Sequence, residues 1–114
     1  MNPRVEFAAL PRPVRSVPLP GGGSVYVRDL TIAELRAVDR AAEKLPEGER
    51  GLGWVLRLVA AALALPDGSP AFDPPADEAA GADQAAEVER YFGHAQLRVI
   101  AEAAVPSRED QKKS

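Results

Sequence analysis

The sequence predicts a mainly α-helical domain of the α+β class, with a small N-terminal β-hairpin, three to four helices and a disordered C-terminal tail. A glycine-rich turn joins two short strand-like segments near the N-terminus. Apolar residues then recur at helical spacing, and the last residues carry nothing to bury. With 114 residues, the chain has the usual size of one domain and is too short for two independent cores.

The predicted domain covers residues 14–105. Residues 1–13 are interrupted by Pro3, Pro11 and Pro13, so we expect a flexible N-terminal segment without the continuous apolar stretch of a secretory signal. Residues 106–114 are almost entirely polar or charged, which predicts a disordered tail.

The hairpin is predicted from residues 14–19 and 24–28. Pro20, Gly21, Gly22 and Gly23 lie between them, and glycine tolerates the positive φ values that a tight reversal requires. Pro18 in the first segment and Pro20 directly after it restrict this segment to the edge of a sheet, because proline cannot donate a ladder hydrogen bond.

A first helix is predicted to begin after Thr31, which stands three residues before Glu34 in the arrangement of a capping box. Its apolar stripe consists of Ile32, Leu35, Val38, Ala42 and Leu45. The proline and glycine at positions 46 and 48 end it.

A second helix is predicted at about residues 52–65, and two of its faces are apolar. A helix that is apolar on most sides needs burial. It is therefore either the central core element or a core element that also reaches a neighbouring subunit, with Arg57 among small residues.

The sequence after the second helix predicts turns and two further helices. Residues 66–75 contain four prolines and a glycine, and the tract up to Gly81 has the composition of a loop. Asp83 is the predicted cap of a third helix, and a fourth is expected from about His94, with Gly93 kinking or separating the two.

Charge and composition argue against several classes of function. The net charge is −3 without a basic cluster before the last residues, so we expect no nucleic-acid partner. The most apolar run, residues 54–65, is too short to cross a membrane, so no membrane partner is expected. The chain has no cysteine and a single histidine, and its carboxylates lack the spacing of a calcium loop. We therefore expect no metal, no cofactor and no catalytic residues, and predict that the protein is not an enzyme.

Several motifs together carry a resemblance to a known family. Residues 19–35, LPGGGSVYVRDLTIAEL, resemble the N-terminal signature of siphophage tail assembly chaperones: a glycine hairpin, a V-x-V-R-x-L-T strand and a capped helix. Residues 61–72, AALALPDGSPAF, are similar to that family's apolar helix followed by D-G-x-x-x-F. The helical segment at 91–104 resembles the family's closing helix, so the likeness spans most of residues 17–105.

This resemblance implies a cytoplasmic factor of phage morphogenesis that is absent from the mature virion. Such a chaperone binds the tape measure protein and recruits major tail tube protein subunits, without turnover. The family often has a longer form made by a minus-one programmed frameshift. Lys112 and Lys113 follow Gln111, and these three residues can be encoded as CAA-AAA-AAG, which contains a slippery heptamer. We therefore hypothesise a frameshift site there, although a solubilising basic tail also accounts for the two lysines.

The predicted protein-binding residues are Trp54 and Leu58 on the exposed part of the second helix, Arg57 at its edge, and Tyr91 with Phe92. Aromatic residues are only 5% of the chain and much of its apolar content is alanine, so homo-oligomerisation is a further expectation. The sequence is also compatible with two alternative functions: a structural tail or head completion protein of the virion, and a bacterial protein-interaction adaptor.

Overall fold

The computed structural model describes residues 14–105. Within this range a three-stranded antiparallel sheet packs with four α-helices, as the predicted α+β class requires. In chain order the elements are β1 (Val14–Pro18), β2 (Ser24–Arg28), α1 (Ile32–Glu43), a 3₁₀ turn (Glu47–Glu49), α2 (Arg50–Ala62), β3 (Leu63–Ala64), α3 (Glu78–Tyr91) and α4 (His94–Ala104). The flexible segment predicted at 1–13 and the tail predicted at 106–114 lie outside the described residues.

The N-terminal hairpin is confirmed. β1 and β2 pair antiparallel with Val17 opposite Val25, and the Leu19 N–H donates to the Gly23 carbonyl at 3.0 Å. All three glycines of the turn have positive φ, between 78° and 109°, which explains why the reversal uses glycine. β1 lies at the edge of the sheet, as expected for a strand that contains Pro18.

The second helix ends earlier than predicted, because its last residues form a strand. Leu63 has extended backbone angles, and Leu63 and Ala64 pair antiparallel with Val27 and Tyr26 of β2. Two physical reasons account for the difference. Pro66 disfavours the helical conformation of the residue before it, and the free edge of β2 offers backbone partners that a longer helix would leave unpaired.

The third helix begins earlier than predicted. The capping residue is Asp77, whose Oδ1 accepts from the Ala80 N–H at 2.8 Å, whereas Asp83 lies inside α3. The glycine at position 81 suggested a loop, but a glycine inside a helix costs only about 1 kcal/mol relative to alanine. A good cap and the surrounding alanines outweigh this cost. Gly93 separates α3 from α4, as expected.

The core forms around α2, which packs against α1, α3 and α4. The largest fully buried side chains are Leu58, Ile100, Val27, Val59 and Val88. They come from α2, α3, α4 and β2, so every helix except α1 contributes a fully buried large residue. The prediction that α2 is a core element is thus confirmed. Over residues 14–105, no helix has both the length and the apolar character needed to span a bilayer.

A buried arginine joins the sheet to two helices. Arg28, only 8% exposed at the end of β2, donates from Nε to the Ala61 carbonyl at 3.1 Å. Its Nη2 lies 3.0 Å from Oε2 of Glu34. The other oxygen of Glu34 accepts from the Thr31 N–H at 2.8 Å, while Thr31 Oγ1 accepts from the Glu34 N–H. The predicted capping box is therefore present, and it is also tied to the C-terminal end of α2.

Candidate functional site

An open groove lies between α1 on one side and residues 72–77 with the start of α3 on the other. Its volume is about 770 Å³, and residues of α2 form its floor. The lining residues are Arg28, Glu34, Ala37, Val38, Arg40, Ala41, Lys44, Leu45, Arg57, Ala60, Ala61, Phe72, Asp73, Pro74, Pro75, Asp77, Glu78, Ala79, Gly81, Ala82 and Gln84. This volume falls within the range of about 300–1,000 Å³ that is typical of ligand pockets.

The walls of the groove are mostly apolar and made of small side chains. Ala37 and Ala41 come from successive turns of α1, and Ala60 and Ala61 come from α2. Phe72 is partly buried and packs against the core from the segment before α3. Alanine side chains leave room for another chain to approach the helix backbones closely.

Two cations of the groove are matched by carboxylates. Arg28 pairs with Glu34 on the inner wall, and Lys44 Nζ lies 2.8 Å from Glu78 Oε1 at the rim. The rim pair joins the C-terminal end of α1 to the first residue of α3, and both side chains are mostly exposed. The cations Arg40 and Arg57 and the exposed carboxylates of Asp73 and Asp77 also line the groove, and these four residues form no ion pair with one another.

Arg57 differs from Arg28 and Lys44. It is partly buried in the floor, and its Nη1 donates to the Gly53 carbonyl at 3.3 Å. Within residues 14–105, its guanidinium forms no ion pair with a carboxylate. A guanidinium has five N–H donors, so most of the hydrogen-bonding capacity of Arg57 is directed at solvent or at a ligand. Of the predicted contact residues, Arg57 is the one that the structure places in the groove.

Trp54 lies on a different surface. Its indole Nε1 donates to Oδ1 of Asp39 at 2.7 Å, which links α2 to α1. Together with Arg50 and other neighbours, it lines a shallow depression of about 340 Å³ that shares no residue with the groove. The prediction grouped Trp54 with Arg57, but the two belong to separate faces of the domain.

Leu58 corrects the sequence prediction. It was expected on the exposed part of the second helix, yet its side chain is 0% exposed. The helix α2 packs against α1, α3 and α4, and Leu58 is completely buried among these elements. Leu58 is therefore a core residue, and the domain would have to open before a partner could touch it.

Tyr91 and Phe92, predicted as a pair of contact residues, have different environments. Tyr91 ends α3 and is 69% exposed. Phe92 follows it, is partly buried and packs against the hydrophobic core. Neither residue lines the groove or the Trp54 depression. The lysines of the hypothetical frameshift site, Lys112 and Lys113, lie outside the described residues.

His94 and Asp67 are exposed titratable residues that lie outside the groove. His94 is the first residue of α4. Hydrogen bonds from the Ser69 hydroxyl and the Ser69 N–H lower the pKa of the exposed Asp67, which lies in the turn after β3. Across residues 14–105, histidine and carboxylate side chains do not gather into any group of three that could hold a metal ion.

Sequence reasoning missed the groove itself. Its lining comes from four separated stretches of the chain, and most of these residues are alanines, prolines or acidic residues with no individual signal. Phe72 was a usable signal, because an aromatic residue within a proline-rich segment indicates that this segment packs against the apolar core.

Comparison with known proteins identifies no relative. No protein-family model, no curated protein and no solved structure matches this chain.

Proposed function

We propose that this domain acts by binding another protein, as a tail assembly chaperone of a long-tailed phage. It binds the tape measure protein and recruits major tail tube protein subunits while the tail assembles. It works in the host cytoplasm and is absent from the mature virion. The observation that carries a binding function is the open, mostly apolar groove with Arg57 in its floor. The choice of partner rests on the sequence resemblance over residues 17–105.

The motifs of that resemblance have definite structural roles, which supports treating them as a unit. The arginine of V-x-V-R-x-L-T is Arg28, which joins β2 to Ala61 at the end of α2 and to Glu34 of the capping box. The D-G-x-x-x-F motif starts with the Asp67 turn and ends with Phe72 in the groove wall. Both motifs therefore shape the region in which we place the partner.

Coating a long partner does not require tight individual contacts. A small domain that recognises a recurring type of segment can bind at many places along the tape measure protein, and linked weak contacts add through multivalency. No chemical turnover takes place, because the proposed action is to cover apolar surface and to bring tube subunits close.

The experiment that tests this function is co-expression of this chain with the tape measure protein of the same phage, which the proposal requires. We expect the tape measure protein to remain soluble and to be retained when this chain is pulled down by an affinity tag. If the tape measure protein is insoluble and is not retained, and the same result is obtained with any frameshifted longer form of this chain, the proposal is contradicted. Detection of this chain in purified phage particles would instead favour a structural virion protein.

The frameshift hypothesis has a separate test. If the gene encodes Lys112 as AAA and Lys113 as AAG after a CAA codon for Gln111, a slippery heptamer is present, and mass spectrometry of infected cells should detect a longer product. A gene with AAG for Lys112 has no such site, and the hypothesis would then be abandoned.

A further inference from the structure

The pairing of the cations in the groove indicates what kind of segment it takes. Arg28 and Lys44 already have carboxylate partners, at 3.0 Å and 2.8 Å. Arg57 and Arg40 have none within the described residues, and each donates only to a backbone carbonyl of its own helix. Of these two, Arg57 is the one partly removed from water. A carboxylate placed against it would gain a charge-assisted hydrogen bond in a sheltered position.

The groove around Arg57 is lined mainly by apolar side chains, and many of them are small. Alanines of α1 and α2 form two sides of the groove, and Phe72 with the following prolines forms another. An occupant that buries these surfaces must present apolar side chains around its carboxylate. A groove flanked by helices and lined with small residues suits the apolar face of a helix, whose neighbouring positions recur every three or four residues.

We propose that the groove binds an amphipathic helical segment of the partner, which places one aspartate or glutamate within its apolar face, against Arg57. This inference rests on the function proposed above and names the chemistry that the partner must carry at that site. The Lys44–Glu78 pair at the rim does not prevent entry, because exposed ion pairs contribute little and exchange readily with solvent.

Two pairs of variants separate the groove from the rest of the surface. Arg57→Glu reverses the charge in the floor, and Arg36→Glu makes the same change on an exposed residue of α1 outside the groove. Ala37→Trp fills the groove, whereas Ala33→Trp places the same side chain one turn away, outside it. Circular dichroism and urea unfolding establish that each variant is folded before binding is compared.

The probe is the co-expressed tape measure protein, followed by overlapping synthetic peptides from its sequence. We expect wild type and both control variants to retain the protein, and both groove variants to weaken binding by about tenfold or more, the effect of losing one charge-assisted hydrogen bond or the contact surface. The peptide that binds most tightly should contain an aspartate or a glutamate. Replacing this residue by its amide should weaken binding to wild type about tenfold, but should have little effect on binding to the folded variant Arg57→Met, which lacks the guanidinium.

The outcomes distinguish the two proposals. If all four variants retain the tape measure protein as wild type does, the groove assignment is wrong while the chaperone function stands. If wild type itself retains nothing, both proposals fail. If groove variants change the oligomeric state and leave capture intact, the groove is occupied by a second copy of this chain, and the inference is overturned.

Discussion

The buried arginine at the end of β2 gives the sharpest test of how this fold is held together. Arg28 contributes two hydrogen bonds, to the Ala61 carbonyl at 3.1 Å and to Glu34 at 3.0 Å. Arg28→Met keeps most of the apolar stem and removes both bonds. The Ala61 carbonyl then loses a donor at a helix end, where carbonyls already lack intrahelical partners.

The expected cost follows from the exposure of the pair. Breaking a fully buried ion pair by removing one partner costs about 3–5 kcal/mol. Here the side chain of Arg28 is 9% exposed and that of Glu34 is 27% exposed, so water can solvate part of what is left. We therefore expect Arg28→Met to lower the free energy of unfolding by about 2–3 kcal/mol, mainly through lost charge-assisted bonds.

Urea unfolding followed by circular dichroism measures this difference. The matched control is Arg98→Met, because Arg98 forms an exposed pair with Glu102 one turn away, and such helix pairs contribute only about 0.3–0.5 kcal/mol. Glu34→Gln should cost about 1 kcal/mol, since glutamine also serves in a capping box. An Arg28→Met variant within about 0.5 kcal/mol of wild type would refute the assigned role of this arginine.

Three further predictions follow from single residues. Leu58→Ala should lower the free energy of unfolding by about 2–5 kcal/mol, because the side chain of Leu58 is 0% exposed. The control Leu52→Ala, at a residue that is 53% exposed, should change it by less than about 0.5 kcal/mol. Equal costs of the two variants in urea unfolding would contradict the burial of Leu58. Ser69→Ala should raise the pKa of Asp67 towards its ordinary 3.8 without reaching it, because the backbone hydrogen bond remains, as a carboxyl titration by nuclear magnetic resonance would show. Since the folded pKa of Asp67 is lowered, its contribution to stability is present above pH 3.8 and is lost as the pH falls through the folded value; an unchanged pKa in the variant would refute the role of the hydroxyl. Trp54→Phe should cost about 0.5–1.5 kcal/mol by removing the indole N–H donor to a carboxylate of α1, and no cost in urea unfolding would show that the bond is not formed in solution.

Local signals in the sequence predicted the elements that depend on local physics. The glycine turn, the Thr31–Glu34 capping box and the break at Gly93 each act through a few neighbouring residues, and all three are present. The same residues can therefore be interpreted before any tertiary contact is known. Short-range hydrogen bonds and backbone preferences are sufficient for this part of the fold.

Features that depend on tertiary pairing were not predictable in this way. The end of α2 at Ala62 depends on the free edge of β2, which receives Leu63 and Ala64 as a strand. The burial of Leu58 depends on the helices that pack around α2, namely α1, α3 and α4. A helix with two apolar faces carries no information about which neighbour covers each face.

The candidate site illustrates the same limit. Arg57 was predicted as a contact residue at the edge of the exposed part of the second helix, but its groove takes shape only when α1, α2 and the segment before α3 come together. Trp54 attracted attention as the lone tryptophan, yet it lies on another face and bonds to Asp39. Chemical type indicated which residues to consider, while the fold determined which of them share a surface.

The proposed binding of the tape measure protein to the groove can be observed residue by residue. Titration of isotope-labelled protein with the tape measure protein, followed by amide chemical shifts, tests the partner and the groove together. We predict saturable shifts concentrated at Ala37, Ala41, Arg57 and Phe72, with little change around Trp54. An unchanged spectrum would contradict the proposed function, and shifts confined to the Trp54 face would contradict the groove.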